Sequence, residues 1–543
     1  MKRLVAVLVV ASCSSREPIK PTPSSWPSPD AWKTLASQLT GKLVQPTAAT
    51  PSKNPWALQD DPAATQSTGW IDAWTAVPST YVVAAENASD VSAAVKFARA
   101  NHVPLVVRGT GHDYLGRSTR PNSLMVWTHA MRAIAVDDAF VPHGCSMPAM
   151  PAVNIGAGAR WGEAYEVVTT QHHRYVQGGG CLSVGVAGGF LQGGGFGSYS
   201  RKFGTAAASL LEAEVVTADG QIRIANACQN QDLFWALRGG GGGTFGVVTR
   251  VTLMTHPLPE TFGIARGTIT AHDPEAFRAL VAEFLTFYRD HLDNEHWGES
   301  INLAGNVLSL SLSFEGLSQD EVDHAWQPFR DWLAHHHELD GTVEVHAFPF
   351  AAHWNPALLR VFPDVIRVDD RPNAPTANFW WTGDSEQIGA YWYAYQSRWL
   401  PRTLLGDIPR LAGALAEASH HWSVGIHFNK ALAAAAPDAL ARSRATATNP
   451  AVYDATALVI IAALADGPPD RARGAKERSA VAAAMKPIHD LAPTAGAYVN
   501  EADYFEPDWQ RAFWGDNYAR LLAIKRTYDP TGLFTCHHCV GSE

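Results

Sequence analysis

Over residues 78–257, apolar positions fall into short runs separated by helical-period stretches and glycine-rich breaks. Tyr81-Val-Val-Ala-Ala85 opens the series. In Asn87–Asn101, Val91, Ala94, Val95 and Ala98 recur at three- and four-residue spacing, which predicts a helix with one apolar face. Val103–Val107 and Val153–Ala159 predict short strands, and Trp161–Thr170 predicts a helix. Leu211–Thr217 and Gln221–Ile224 flank Asp219-Gly220, a dipeptide suited to the tip of a β-hairpin. Asp232–Arg238 predicts an amphipathic helix that runs into five glycines, 239–243, and then a strand over Gly246–Leu253. This recurrence predicts one α+β domain.

After Pro257-Leu-Pro259 the texture changes. Phe277–His291 and Ser318–His337 predict helices, and Asn302–Phe314 and His421–Phe428 predict strands. In the last of these, Trp422, Val424, Ile426 and Phe428 alternate with His421, Ser423, Gly425 and His427. One face is apolar and the other carries titratable groups, as in a sheet backed by helices and facing either a ligand or water. No internal repeat is visible. At the N-terminus, a basic pair, the apolar run Leu4–Ala11 and small residues form an export-signal pattern, so the protein is expected to be exported. Val10-Ala-Ser-Cys13 is similar to a bacterial lipoprotein box, with Cys13 as a lipid-anchor site in a periplasmic, lipid-anchored or secreted protein. Residues 14–62 are rich in Pro, Ser and Thr and read as a tether and loosely packed arm, with the Trp56 region docking on the body. No other stretch reaches the roughly 18 apolar residues of a membrane span.

The 543 residues suffice for two or three domains, and 46% hydrophobic with 17% charged residues is a globular composition. A net charge of -10 argues against a nucleic-acid surface. Nineteen Trp and 14 Tyr suit either an aromatic-walled cavity or a large core. Six cysteines stand at 13, 145, 181, 228, 536 and 539, with the pairing left open.

Candidate chemistry centres on two glycine cradles. Gly178–Gly197 is half glycine and encloses one cysteine, Cys181. Arg108-Gly-Thr-Gly-His-Asp-Tyr114 places glycines around one histidine, His112. Glycine lets main chain approach a bulky anion, and successive N–H groups can cradle phosphates. Gly193-Gly-Gly-Phe-Gly197 lacks the Rossmann spacing, and no acidic residue follows at a strand end, so an NAD site is rejected.

These motifs, with Asp232–Gly241, Gly246-Val-Val-Thr249 and the closing Asn517–Phe534, resemble FAD-linked oxidases of the vanillyl-alcohol oxidase superfamily, in its berberine-bridge-enzyme-like branch. The resemblance covers roughly 70–260 and 495–543. It implies a two-subdomain FAD-binding domain over 66–257, preceded by a signal peptide (1–13) and an arm (14–65). A substrate domain over 258–494 would present an antiparallel sheet backed by helices, and 495–543 would return to the FAD domain. It also implies bicovalent FAD, with the flavin joined through its 8α carbon to His112 and through its 6 position to Cys181. Cofactor contacts are implied at Arg108, Gly109, Thr110, Gly111, Asp113 and Gly116, at Gly179, Gly180, Ser183, Val184, Gly185 and Gly188, and at Gly246, Val248 and Asn517.

The implied reaction oxidises an alcohol, sugar or similar small molecule, with a protein base taking the proton and dioxygen reoxidising the cofactor. Tyr114 and Tyr498, the latter in the family's Tyr-x-Asn motif, are the pocket tyrosines, and His427 and Asn429 are further catalytic candidates. Glu501 is secondary, because an extended segment would turn it away from Tyr498. Phe379–Trp381 and Tyr391–Tyr395 suit a substrate wall or helix packing equally. In Cys536-His-His-Cys539, where relatives usually carry glycine at the last position, a disulfide or packed thiols is preferred over zinc; no metal is expected. Two further readings remain open: a flavin dehydrogenase using an acceptor other than oxygen, and a flavin-fold binding protein without turnover.

Overall fold

The computed structural model describes residues 26–361, 364–465 and 467–542. The expected signal peptide, Cys13 and the first part of the arm lie outside the described residues. Three sheets organise the rest. A four-stranded sheet has the order Lys42–Val44, Tyr81–Ala84, Leu124–Trp127, Leu105–Arg108, with its last three strands parallel. A second, antiparallel sheet runs Ile222–Asn226, Leu210–Val216, Val247–Pro257, Met150–Gly156, Ile134–Phe140, and Arg174–Val176 pairs with the far end of Val247–Pro257. These two sheets form the glycine-rich half of the molecule.

The third sheet has nine strands: Leu339–Pro349, Thr261–Ala271, Val307–Glu315, Trp297–Ala304, Val424–His427, Ala455–Ala465, Ala390–Pro401, Ser67–Trp70, Trp74–Thr75. Helices Pro274–Phe287, Ile408–His421 and Arg471–Leu491 bury their apolar faces with one side of it. The architecture is α+β, as expected, with helices backing a mainly antiparallel sheet.

Local chemistry explains the main elements. The expected helix at Asn87–Asn101 forms over Ala88–Ala100, and Asn87 caps it by accepting from Asp90 N–H at 3.0 Å. Buried Asp90 in turn accepts from the N–H groups of Thr40 and Gly41 at 2.8 and 3.0 Å, tying the arm to the first sheet. Helix Gln319–Ala334 begins at a Ser318–Glu321 capping box.

Four expectations change. The arm is not loose from residue 26 onward, since Trp32 and Leu35 are buried; the Trp56 region docks on the body as expected, fully buried and donating to Phe379 O at 3.2 Å. Residues 67–75 do not join the glycine-rich half, because Ser67–Trp70 pairs in parallel with Ala390–Pro401 of the large sheet. Asn302–Phe314 is two strands, reversed at Gly305, whose φ of +57° favours glycine. The helix from Trp161 passes into a wider π turn at Glu166–Gln171. Cys145 pairs with Cys228 and Cys536 with Cys539, which removes the zinc alternative at the C-terminus.

The two halves are locked together by Arg201, just beyond the glycine run, which donates to Asp293 at 3.0 Å with both side chains almost inaccessible. Removing one partner of such a buried pair typically costs about 3–5 kcal/mol, because the other charge is stranded. C-terminal helix Asn517–Tyr528 returns to the glycine-rich half, where buried Lys525 donates to Thr244 O at 2.7 Å and to Phe534 O at 2.6 Å.

Candidate active site

Between the glycine loops and the open face of the nine-stranded sheet lies a cavity of about 1030 Å³. Its first wall is largely main chain. Arg108, Gly109, Thr110, Gly111, His112 and Asp113 line it from the turn after Leu105–Arg108. Gly179, Gly180, Cys181, Val184, Gly185 and Gly188 line it from the long glycine run, and Gly246 and Val248 from the strand after the five glycines. Gly185 N–H donates to Thr110 Oγ1 at 3.1 Å, joining the two loops. A Cβ at Gly180 or Gly188 would meet nothing within 4 Å, so side chains absent from these positions are room for a ligand.

Three residues expected at the cofactor do not line the cavity. Gly116, at φ +73°, is packed under Trp74, so its glycine serves a tight turn. Ser183 is buried in the turn closed by Val184 N–H on Cys181 O, at 3.1 Å. Asn517 donates to Thr448 O at 3.1 Å and fixes the start of its own helix. Two others line the cavity with side chains committed elsewhere. Arg108 donates to Pro62 O and Asp61 O at 3.0 and 3.1 Å, holding the arm, and burial lowers it to about 10. Asp113 accepts from Arg117 Nε at 2.7 Å, and Arg117 reaches Val499 O at 3.1 Å.

The reactive side chains meet in this space. His112 Nε2 lies 3.5 Å from the Tyr114 hydroxyl, while buried Nδ1 has no partner. Burial pulls His112 down to about 4, so the imidazole is neutral near pH 7. Cys181 is the free cysteine among the described residues. Burial pushes its thiol up, and it hydrogen-bonds the Asp384 carboxyl. Asp384 is raised to about 6, mainly by burial, with neighbouring Glu299 adding to the shift.

The opposite wall comes from the large sheet and the C-terminal segment, and Tyr114, Tyr498, His427 and Asn429 all line the cavity. The Tyr114 O–H donates to Gln387 Oε1 at 2.6 Å, and its ring packs on Trp392 and Tyr395 at 4.8 and 5.4 Å. Trp381 lines the cavity too and donates to Gly180 O at 2.9 Å, so part of the aromatic cluster is cavity wall. The Tyr498 oxygen accepts from Asn500 Nδ2 at 3.0 Å, yet burial and Glu501 hold the phenol above its ordinary value. His427 is pulled down to about 3 by burial and Lys430, so it is neutral.

Glu501 is not turned away from Tyr498. Residues 498–501 form a tight turn, closed by Glu501 N–H on Tyr498 O at 2.9 Å, and both side chains reach the cavity, where Glu501 pairs with Lys430. Sequence reasoning missed two acids. Asp384 sits in a 3-10 segment, Thr382–Gln387, with no periodic signal. Glu299 lies in strand Trp297–Ala304 at φ +65°, a conformation costing a non-glycine residue of order 1–3 kcal/mol. No sequence pattern announces that conformation. Among the described residues, no cluster of His, Cys, Asp and Glu could hold a metal ion, and no helix is long and apolar enough to cross a membrane.

Comparison with known proteins bears on this geometry. Residues 79–226 match the FAD binding domain family, and 497–541 match the family described as berberine and berberine like. The VAO-type flavoprotein oxidase VAO615 of Thermothelomyces thermophilus is 31% identical, covering 97% of this chain and 93% of that protein. The FAD-linked oxidoreductase ZEB1 of Gibberella zeae is 34% identical over 85% of this chain and 76% of its own. Among solved structures, the VAO-type flavoprotein MtVAO615 from Myceliophthora thermophila C1 superposes with a TM-score of 0.80 at 27% identity, covering 97% of each chain. Glucooligosaccharide oxidase from Acremonium strictum, described with a 6-S-cysteinyl, 8α-N1-histidyl FAD, shares the fold at TM-score 0.68 and 22% identity, over 85% of this chain and 91% of that one.

Proposed function

The chain belongs to the FAD-linked oxidoreductases of the VAO type with a berberine-like C-terminal segment, and from that premise we propose that it is an exported oxidase of small hydroxylated molecules carrying doubly tethered FAD. The observation that carries this reading is the pairing, in one cavity, of an orphaned His112 Nδ1 with the free Cys181 thiol beside open glycine backbone. The cavity fits the cofactor on those grounds: its amide-rich loops suit a pyrophosphate, and the missing side chains at Gly180 and Gly188 leave room for it. Residues 108–113 and 179–188 would hold it, with His112 and Cys181 as the covalent ligands. The same two attachment chemistries are named for the Acremonium strictum oxidase. A neutral imidazole with Nε2 protonated toward Tyr114 keeps the Nδ1 lone pair free for a bond.

The chemistry supplied by bound FAD is acceptance of a hydride from the substrate carbon and its discharge to dioxygen. The protein's share is the proton. The Tyr498 oxygen accepts from Asn500 and keeps its O–H, which orients the substrate oxygen. Tyr114, fixed on Gln387, keeps its proton and shapes the wall. Asp384, raised to about 6, ionises close to neutrality and is the proton acceptor. Once Cys181 is a thioether it no longer donates to Asp384, which frees the carboxylate for substrate. His427 and Asn429 contact substrate without titrating near pH 7.

Export is supported by the Met1–Cys13 pattern, with Cys13 as a lipid-attachment site, and by two disulfides that suit an oxidising compartment. The test is anaerobic screening of alcohols, oligosaccharides and phenolic alcohols against the absorbance of the bound flavin. Bleaching, followed by rapid return in aerated buffer with hydrogen peroxide formed, is the expected result. Absence of bleaching by every hydroxylated class would overturn the reading, and slow return in air would make the enzyme a dehydrogenase instead.

A further inference from the structure

Beyond Tyr498, the cavity carries an arrangement of acceptors that an uncharged alcohol does not need. Glu299 pairs across the sheet with Leu312, and its neighbour Ser300 pairs with His427. Successive residues of a regular strand point to opposite faces. Here both Glu299 and Ser300 line the cavity, and the left-handed backbone at Glu299 accounts for the departure. Strain of this kind persists where the surrounding structure holds it in place. Gly298, just before, leaves no space for a Cβ against the Ser198 carbonyl, and the Ser198 hydroxyl donates to Glu299.

A second observation is independent of any acid. Asn429 lines the same cavity, is only 5% exposed, and its Oδ1 has no hydrogen-bond partner. An ideal Cβ on Gly298 would lie 3.3 Å from Asn429 Cβ, so this amide sits against the strand that carries Glu299. A buried, unpartnered carbonyl oxygen calls for a donor from a ligand.

The cavity lining carries six carboxyl side chains against four cations, Arg108, Arg117, Arg266 and Lys430. Lys430 is committed to Glu501. His353 and His427, which also line the cavity, are each pulled down to about 3 by burial and stay neutral near pH 7. Glu299 and Asp384 are in no ion pair and are bonded to Ser198 and Cys181 respectively, with Lys430 acting on Glu299 only at longer range. An enclosed site with acceptor oxygens and excess negative charge favours a cationic donor over a neutral or anionic one.

We infer that Glu299 and Asn429 Oδ1 form an ammonium-binding subsite, so that the preferred substrate is a hydroxylated compound bearing a protonated amine. The subsite rests on the reading that this cavity is the substrate side of a flavin-loaded enzyme. It makes Glu299 a specificity-determining residue that fixes one end of the substrate while Tyr498 and Asp384 meet the hydroxyl.

The test uses flavin-loaded enzyme at pH 7 without oxygen and reads dissociation constants from the perturbation of the flavin spectrum. The probes are 2-amino-1-phenylethanol, its N-acetyl derivative and 3-hydroxy-3-phenylpropanoate. The amine is expected to bind about tenfold or more tighter than the acetylated probe, the size of one charged hydrogen bond, with the carboxylate weakest. Glu299→Gln, which keeps side-chain shape, is expected to reduce that preference to about twofold while retaining its flavin. Asn429→Leu reads the same preference through the second ligand and serves if the Gln variant fails to fold. Equal binding of amine and acetylated probes, or a preference that survives both substitutions, would overturn the inference. Binding is read apart from turnover: an amine that binds selectively but never bleaches the flavin supports the subsite and counts against the oxidase reading alone.

Discussion

Replacing Asp384 by asparagine removes a cavity carboxyl whose proton equilibrium lies near working pH. Burial lifts Asp384 from 3.8 to about 6. Roughly one molecule in ten then carries the carboxylate at pH 5 and nine in ten at pH 7. If the carboxylate accepts the substrate proton, the rate of anaerobic flavin reduction falls about tenfold per pH unit below 6 and is flat above it. The Asn variant should lose that limb, and its plateau should drop by about 10²- to 10⁴-fold, the usual contribution of a positioned base. Stability should move the other way. The folded chain holds this proton more tightly than the unfolded chain, so the proton's contribution is full below 3.8 and is lost as pH rises through about 6. Above pH 6 the buried charge costs up to about 3 kcal/mol before screening by cavity solvent, so the Asn variant should melt higher than the parent at pH 7.5 and equally at pH 4. Stopped-flow reduction from pH 4.5 to 8, with melting curves on the same samples, checks both. An unchanged acid limb in the variant would refute the assignment of Asp384 as proton acceptor.

Two further outcomes follow from the same geometry. Gly180→Val places its side chain in open space, so the protein should fold, melting like flavin-free parent, but lose most of its flavin, as read by the ratio of visible to 280 nm absorbance; full flavin loading would contradict the placement of the cofactor. Replacing Cys145 and Cys228 by serine opens a loop of sequence separation 83, which in the chain-entropy account costs about 4–5 kcal/mol and should lower the melting temperature while flavin content holds.

The glycine cradles were legible because backbone freedom and absence of Cβ are written directly in residue type. The helix at Asn87 was legible because cap and spacing agree locally, and the face of Val424–His427 because alternation maps directly onto sheet faces. What sequence concealed depends on distant or irregular geometry. Ser67–Trp70 is too short to reveal that its partner lies more than three hundred residues away. Glu299 lies just before the strand predicted at Asn302–Phe314 and carries no signal until its positive φ is known, and Glu501 reads as averted until its turn is seen. Arg108 and Asn517 fit the cofactor motif by position, but tertiary contacts divert the first to the arm and the second to its own helix start.

The proposed double tether holds one ring system by bonds from both loops. Denaturing the purified holoenzyme in acid and mapping its proteolytic peptides by mass spectrometry tests it directly. A yellow precipitate is expected, with the flavin mass linking the peptides of His112 and Cys181. A white precipitate with all FAD free in the supernatant would contradict it.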